Sequence, residues 1–152
     1  MSNNISISRN KDEVVQFSIN AENKVGRLNE ILSTLAKRDI HLVAITTLDT
    51  TDSTIIRMIV NYPEEAIKTF NEMNLFYGER QVIAVEFPAI TNLQNVTRAL
   101  IEAEINIHYL YSFLSRPNGK SALAMRVDDP DFAKKTLHLH QLKILNQHDI
   151  AR

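Results

Sequence analysis

The sequence predicts an α+β chain built from two tandem βαββαβ units. Three observations lead there. Stretches with period-2 apolar alternation take turns with stretches whose apolar residues recur every three to four positions. The same six elements then run through twice, about 65 positions apart, as Ile40 and Ile105 illustrate. The inner strands are also apolar on both faces, so a second layer must cover part of each sheet.

The first unit begins with Val15, Phe17, Ile19 and Ala21 alternating with polar Gln16, Ser18 and Asn20, the pattern of a strand with one buried face. A polar turn follows, Glu22-Asn23-Lys24-Val25-Gly26. Leu28, Ile31, Leu32, Leu35 and Ala36 then form one stripe of a helix over residues 26–37. Residues 41–48 and 54–61, rich in Ile, Val and Thr, read as a hairpin around Asp49-Thr50-Thr51-Asp52. Pro63 suits a first helical position, with Glu64 and Glu65 near the positive end of the helix dipole. Ala66, Ile67, Phe70 and Met73 supply that helix's buried side, and a strand over 77–81 closes the unit.

The order then restarts. Residues 82–87 are a strand, and Leu93, Val96, Leu100 and Ile101 repeat the helical stripe. Residues 105–114 and 121–128 form a second hairpin around Pro117-Asn118-Gly119. Asp129-Pro130-Asp131 opens a short helix through Phe132, Ala133 and Leu137, and residues 142–146 supply the last strand. Short matches support the repeat: Ile40-His41-Leu42 with Ile105-Asn106-Ile107, and Val60-Asn61-Tyr62-Pro63-Glu64 with Val127-Asp128-Asp129-Pro130-Asp131. The expected division is a polar tail over 1–12 and units over 13–81 and 82–152. Each unit should fold as a ferredoxin-like antiparallel sheet with both helices on one face. Ile55, Ile56, Met58, Ile59 and Val60, like Leu123, Ala124, Met125 and Val127, are apolar toward both faces. The other repeat, a second chain, or both should therefore cover the second face.

Composition narrows the function classes. With 17 basic and 18 acidic side chains the net charge is -1, which argues against a phosphate-gripping nucleic-acid protein. The absence of cysteine excludes disulfides, thiolate zinc sites and a cysteine nucleophile. The polar start and the lack of a long apolar run point to a cytoplasmic protein without a membrane partner. No Gly-x-Gly-x-x-Gly loop occurs, and Gly119-Lys120-Ser121 has Leu114 where a Gly-x-x-x-x-Gly-Lys-Ser/Thr phosphate loop needs its first glycine, so no nucleotide cofactor is expected.

The stretch Phe17-Ser-Ile-Asn-Ala-Glu-Asn-Lys-Val-Gly-Arg-Leu28 resembles the opening strand, turn and helix start of an ACT domain, whose signature is Asn or Asp, a turn containing Gly, then Leu on the first helix. Ile105-Asn-Ile-His-Tyr-Leu-Tyr-Ser-Phe113 and Arg126-Val-Asp-Asp-Pro130 resemble the second half of small tandem-ACT proteins. The resemblance implies a ferredoxin-like fold, pairing of units into larger sheets, amino acids bound at unit interfaces beside the Gly-containing turn, and allosteric control of amino-acid metabolism without catalysis. A homodimer and a metabolic enzyme as further partner follow from it.

The residues fit that reading independently. Gly26 permits close backbone approach, a helix starting there offers N–H groups to a carboxylate, and Asn23 has both a donor and an acceptor for a zwitterion. The candidate ligand residues are therefore Asn23, Lys24, Val25, Gly26, Arg27 and Leu28, joined by His108 among its aromatic neighbours. The same segment also reads as a plain strand-to-helix turn. The second unit's turn, Pro88-Ala89-Ile90-Thr91-Asn92-Leu93, has no glycine and one residue fewer, so the first turn is the favoured contact.

Other constellations carry less. His138 and His140 lack the spacing of a metal site and read as surface imidazoles. His41 and His108 have no evident catalytic partner. Tyr109, Tyr111 and Phe113 share a strand face and read as core. Arg27 lacks the glycine-rich cradle of a small phosphate hydrolase. Beside the amino-acid sensor stands one alternative, a scaffold or accessory subunit that pairs with an enzyme through its sheets and has no working ligand site.

Overall fold

The computed structural model describes residues 12–22, 24–88, 93–114, 116 and 120–151. Asn23 and residues 89–92 and 117–119, on which parts of the sequence reading fall, lie outside the described residues.

In the first unit, β1 (Val14–Glu22), α1 (Arg27–Lys37), β2 (Leu42–Asp49), β3 (Ser53–Val60) and α2 (Pro63–Glu72) follow the anticipated order. The next strand departs from expectation. The segments read separately over 77–81 and 82–87 are one unbroken strand, β4 (Phe76–Phe87). Its first half pairs with β1 through Val82, and its second half pairs from Ile83 with β6 (Ser121–Val127). The boundary expected between Gln81 and Val82 is no break in the backbone but the place where β4 passes from pairing with β1 to pairing with β6.

The second unit continues with α3 (Leu93–Glu102), β5 (Ile107–Ser112), β6, α4 (Pro130–Leu139), β7 (Lys143–Leu145) and α5 (Gln147–Ile150). The last helix was not anticipated. It is held by a capping box in which Asn146 and Asp149 exchange side-chain-to-backbone bonds, and it buries Ile150.

The strands form one seven-stranded sheet in the order β2-β3-β1-β4-β6-β5, with β7 alongside β4. Each unit has its own helix-facing core. Phe17, Ile19, Ile56 and Met58 pack under Ile31, Leu35 and Phe70 in the first. Ile83, Val85 and Met125 pack under Val96, Leu100 and Leu137 in the second. Not every predicted core position is inside: Leu28 at the start of α1, Ile101 on α3 and Phe132 on α4 are exposed.

The opposite faces meet in a third cluster containing Val14, Ala44, Ile59, Ala84, Tyr111, Phe113, Ala122 and Ala124. The other repeat therefore covers the doubly apolar strands. The sheet curls until its two edges touch, where Ala44 bridges Phe113 and the Leu114 N–H donates to the Val43 carbonyl at 2.9 Å.

Gln16, read as a solvent-facing residue of β1, is fully buried in that inter-unit layer. Its Oε1 accepts from the Tyr111 hydroxyl at 2.6 Å and its Nε2 donates to the Tyr109 hydroxyl at 2.8 Å. The Arg57 guanidinium stacks over the Tyr109 ring at 4.0 Å. Burial holds the Tyr111 phenol well above its ordinary pKa, so it stays a donor.

Candidate functional site

The turn between β1 and α1 is set by Gly26, whose φ of 86° lies in the left-handed region open to glycine. A Cβ there would meet no atom of the described residues within 4 Å, so the requirement they set is for backbone conformation and not for space. The Arg27 N–H closes the turn on the Lys24 carbonyl at 3.2 Å, and the Glu30 N–H reaches the Gly26 carbonyl at 2.9 Å. The N-cap residue of α1 is Gly26, which has no side chain to accept from the first-turn N–H groups.

Beside this turn lies an open cleft of about 440 Å³, lined by Asn20, Glu22, Lys24, Arg27, Glu30 and, from the opposite side, Asn74 and Phe76. Lys24 pairs with Glu22 at 2.6 Å and Arg27 with Glu30 at 2.9 Å. The Lys24 ammonium holds the Glu22 carboxyl below the usual carboxylate range. Exposed pairs of this kind are individually weak, so each charge can exchange its partner for a ligand group at little cost. Phe76 pairs with Asn20 across the sheet and is 81% exposed. The rim thus gathers two cations, two carboxylates, two amides and a bare aromatic ring.

Lys24 and Arg27 line the cleft, whereas Val25, Gly26 and Leu28 are not among its lining residues. Val25 projects fully into solvent. His108 is elsewhere: it stands on β5 with its Nε2 2.5 Å from an Asp128 carboxylate oxygen. His138 and His140 are exposed at the end of α4. The sequence reading missed Asn20, Glu30, Asn74 and Phe76. Glu30 had a signal, since it sits three residues after Arg27 on the helix. Asn74 and Phe76 arrive through tertiary pairing alone.

No helix among the described residues is long and apolar enough to cross a membrane. No curated protein matches the chain. Among solved structures it is similar to protein BT0572 from Bacteroides thetaiotaomicron, with 28% identity, a TM-score of 0.83, and coverage of 92% of this chain and 96% of that one. It also shares its fold with the regulatory subunit of aspartate kinase from Thermus thermophilus in its ligand-free form, at 11% identity, TM-score 0.61 and coverage of 85% and 91%. The corresponding subunit from Thermus flavus aligns at 12% identity, TM-score 0.54 and coverage of 86% and 94%. The family model for the ACT domain pair matches residues 13–152. ACT domains are regulatory modules and not catalytic ones. With its two repeated units, its shared sheet and this match, the chain belongs to the ACT domain pair family.

Proposed function

We propose that this ACT pair is an amino-acid-responsive regulator that binds its ligand in the first-unit cleft and acts through a change in the association of its units or partners. The observation that carries the reading is the union, at one open cleft, of a helix start whose N-cap is Gly26 with charges of both signs. A zwitterion needs that combination. Its carboxylate meets Arg27, Lys24 and the helix N–H groups, its ammonium meets Glu22 or Glu30, and its side chain meets Phe76. Asn23 belongs to the proposed contact by its place in the turn.

A ligand shifts an equilibrium only by its differential affinity for the two states. The two units already pair through one shared sheet, and the same kind of strand pairing with another chain supports the homodimer and the second reading, a scaffold that pairs with a metabolic enzyme. Neither role needs a catalytic residue, and we assign none. The proposed setting is the cytoplasm.

A thermal-shift scan against the twenty amino acids tests the reading. One or a few related amino acids are expected to raise the melting temperature, and Gly26→Val is expected to abolish the response while the chain still folds. A flat response to all of them at millimolar concentration favours the scaffold. A response that survives Gly26→Val removes the turn from the site.

A further inference from the structure

The repeat allows the first-unit cleft to be traced into the second unit. On β1, Asn20 lies opposite Ile55 of β3 and Phe76 of β4. On the second half of β4, Glu86 lies opposite Ala122 of β6 and Lys143 of β7. Helices α1 and α3 each begin seven residues later, at Arg27 and Leu93. Left-handed Asn74 precedes the first edge segment and left-handed Gln141 the second. Glu86 and Lys143 therefore occupy the places of Asn20 and Phe76.

The chemistry there is reversed. Asn20 lines an open cleft, whereas the Glu86 side chain is only 6% exposed. The hairpin that follows accounts for this. Three residues separate β2 from β3, at 50–52, but eight separate β5 from β6, at 113–120. From that longer connection Arg116, itself 12% exposed, sends Nη2 and Nε to one Glu86 oxygen at 2.6 and 3.1 Å. Lys120 and Lys143 approach the other oxygen at 3.4 and 4.0 Å. The Arg116 guanidinium lies 5.9 Å from the centre of the Phe113 ring. Burial alone pushes the Glu86 carboxyl up, but the bonds and charges of Arg116 and Lys120 reverse this and hold it below the usual range.

We propose that the second unit keeps a closed counterpart of the first-unit cleft, a guanidinium site built on Glu86 and filled by the chain's own Arg116. The chain then presents one open site, in the first unit, and one that is occupied in cis. Calling the pair counterparts rests on the ligand reading of the first cleft. The guanidinium site itself rests only on Glu86, Arg116 and their surroundings.

The experiment is thermal denaturation of full-length Arg116→Ala with and without millimolar methylguanidinium. Removing the tethered cation leaves a buried carboxylate oxygen short of both guanidinium donors, and a fall of about 5 °C or more in Tm is expected. Methylguanidinium is expected to recover much of that fall. The same concentration of tetramethylammonium, which cannot donate hydrogen bonds, is expected to recover none. Wild type and the Arg116→Ala/Glu86→Gln double variant should gain nothing from methylguanidinium. An unchanged Tm in Arg116→Ala, equal rescue by tetramethylammonium, or equal stabilisation of the double variant overturns the proposal. If Arg116→Ala does not fold, Arg116→Lys serves instead: it keeps the charge but loses the fork. A Tm below wild type that methylguanidinium raises is then expected, and wild-type stability contradicts the site. None of these measurements uses the first cleft. Failure of the amino-acid reading shows separately, as a wild-type chain that ignores every amino acid.

Discussion

At the end of β1 the first unit sets Asn20 across from Phe76, and an open cleft lies between them and the start of α1. At the equivalent place the second unit sets Glu86 across from Lys143 and brings Arg116 onto it from the longer β5–β6 connection, so that the guanidinium seals the carboxylate. The backbone plan is the same in register, strand order and helix start. The rim chemistry is not. A repeated fold keeps what its packing demands, while rim positions outside the helix-facing cores are free to take up separate tasks. Here one unit holds exposed charges suited to exchange with a ligand, and the other holds a buried pair suited to permanence.

That contrast can be broken from the second unit first. Glu86→Gln leaves Arg116 with a neutral partner in a nearly dry place and should cost about 3 kcal/mol at neutral pH, measured by urea denaturation. The pH dependence has a definite sign. The folded Glu86 carboxyl titrates below its unfolded value. Its stabilisation is therefore complete above the unfolded pKa of about 4.3 and is lost as pH falls through the lower folded value. The gap between wild type and Glu86→Gln should close across that acid range. A gap that persists unchanged would mean that the carboxylate's charge is not what stabilises the fold.

The layer joining the two units gives the next largest effect. Tyr111→Phe removes the hydroxyl that donates to buried Gln16 and should cost about 1–3 kcal/mol. Gln16→Leu in the same background should then cost less than it does alone, because the two side chains serve one bond. Strict additivity would show that the network does not couple the units.

In the first unit, Gly26→Val should cost about 1–2 kcal/mol, all of it backbone strain, because space is open around that residue. Gly26→Asn should be better tolerated, since asparagine visits the left-handed region. The smallest stability effect belongs to Arg27→Ala, under about 1 kcal/mol, because its bond to Glu30 lies at the surface. Its effect on amino-acid affinity should be far larger, about tenfold or more, through loss of a charge-assisted contact. Comparable losses in stability and affinity would sink the contrast between exchangeable and permanent charges.

The two periodicities made nearly every element readable, because helix and strand faces are local facts of the sequence. Three things escaped for physical reasons. Strand β4 looked like two strands, since the repeat ends one unit at Gln81 and opens the next at Val82, whereas pairing first with distant β1 and then with β6 runs one strand through both. Gln16 looked exposed, since only the second unit's tyrosines, 93 and 95 residues away, give its amide a place indoors. The final helix had a cue in Asn146 and Asp149, an amide followed three residues later by an acid, that the last-strand reading passed over. At the candidate site, Lys24, Gly26 and Arg27 were visible as a turn, while Asn74 and Phe76 reach it only through the register of β4. Glu86 had a faint signal as the one charge in the apolar run Val82–Phe87, but Arg116, 30 positions on, had none.

The most direct test is an amide-resolved NMR titration of the full chain with pooled amino acids at millimolar concentration. The expected result is a set of shifts concentrated on Lys24, Gly26, Arg27, Leu28 and Phe76, with Glu86 and Lys143 unmoved. No response to any pool, or a response centred on Glu86 instead, would contradict a single open amino-acid site in the first unit.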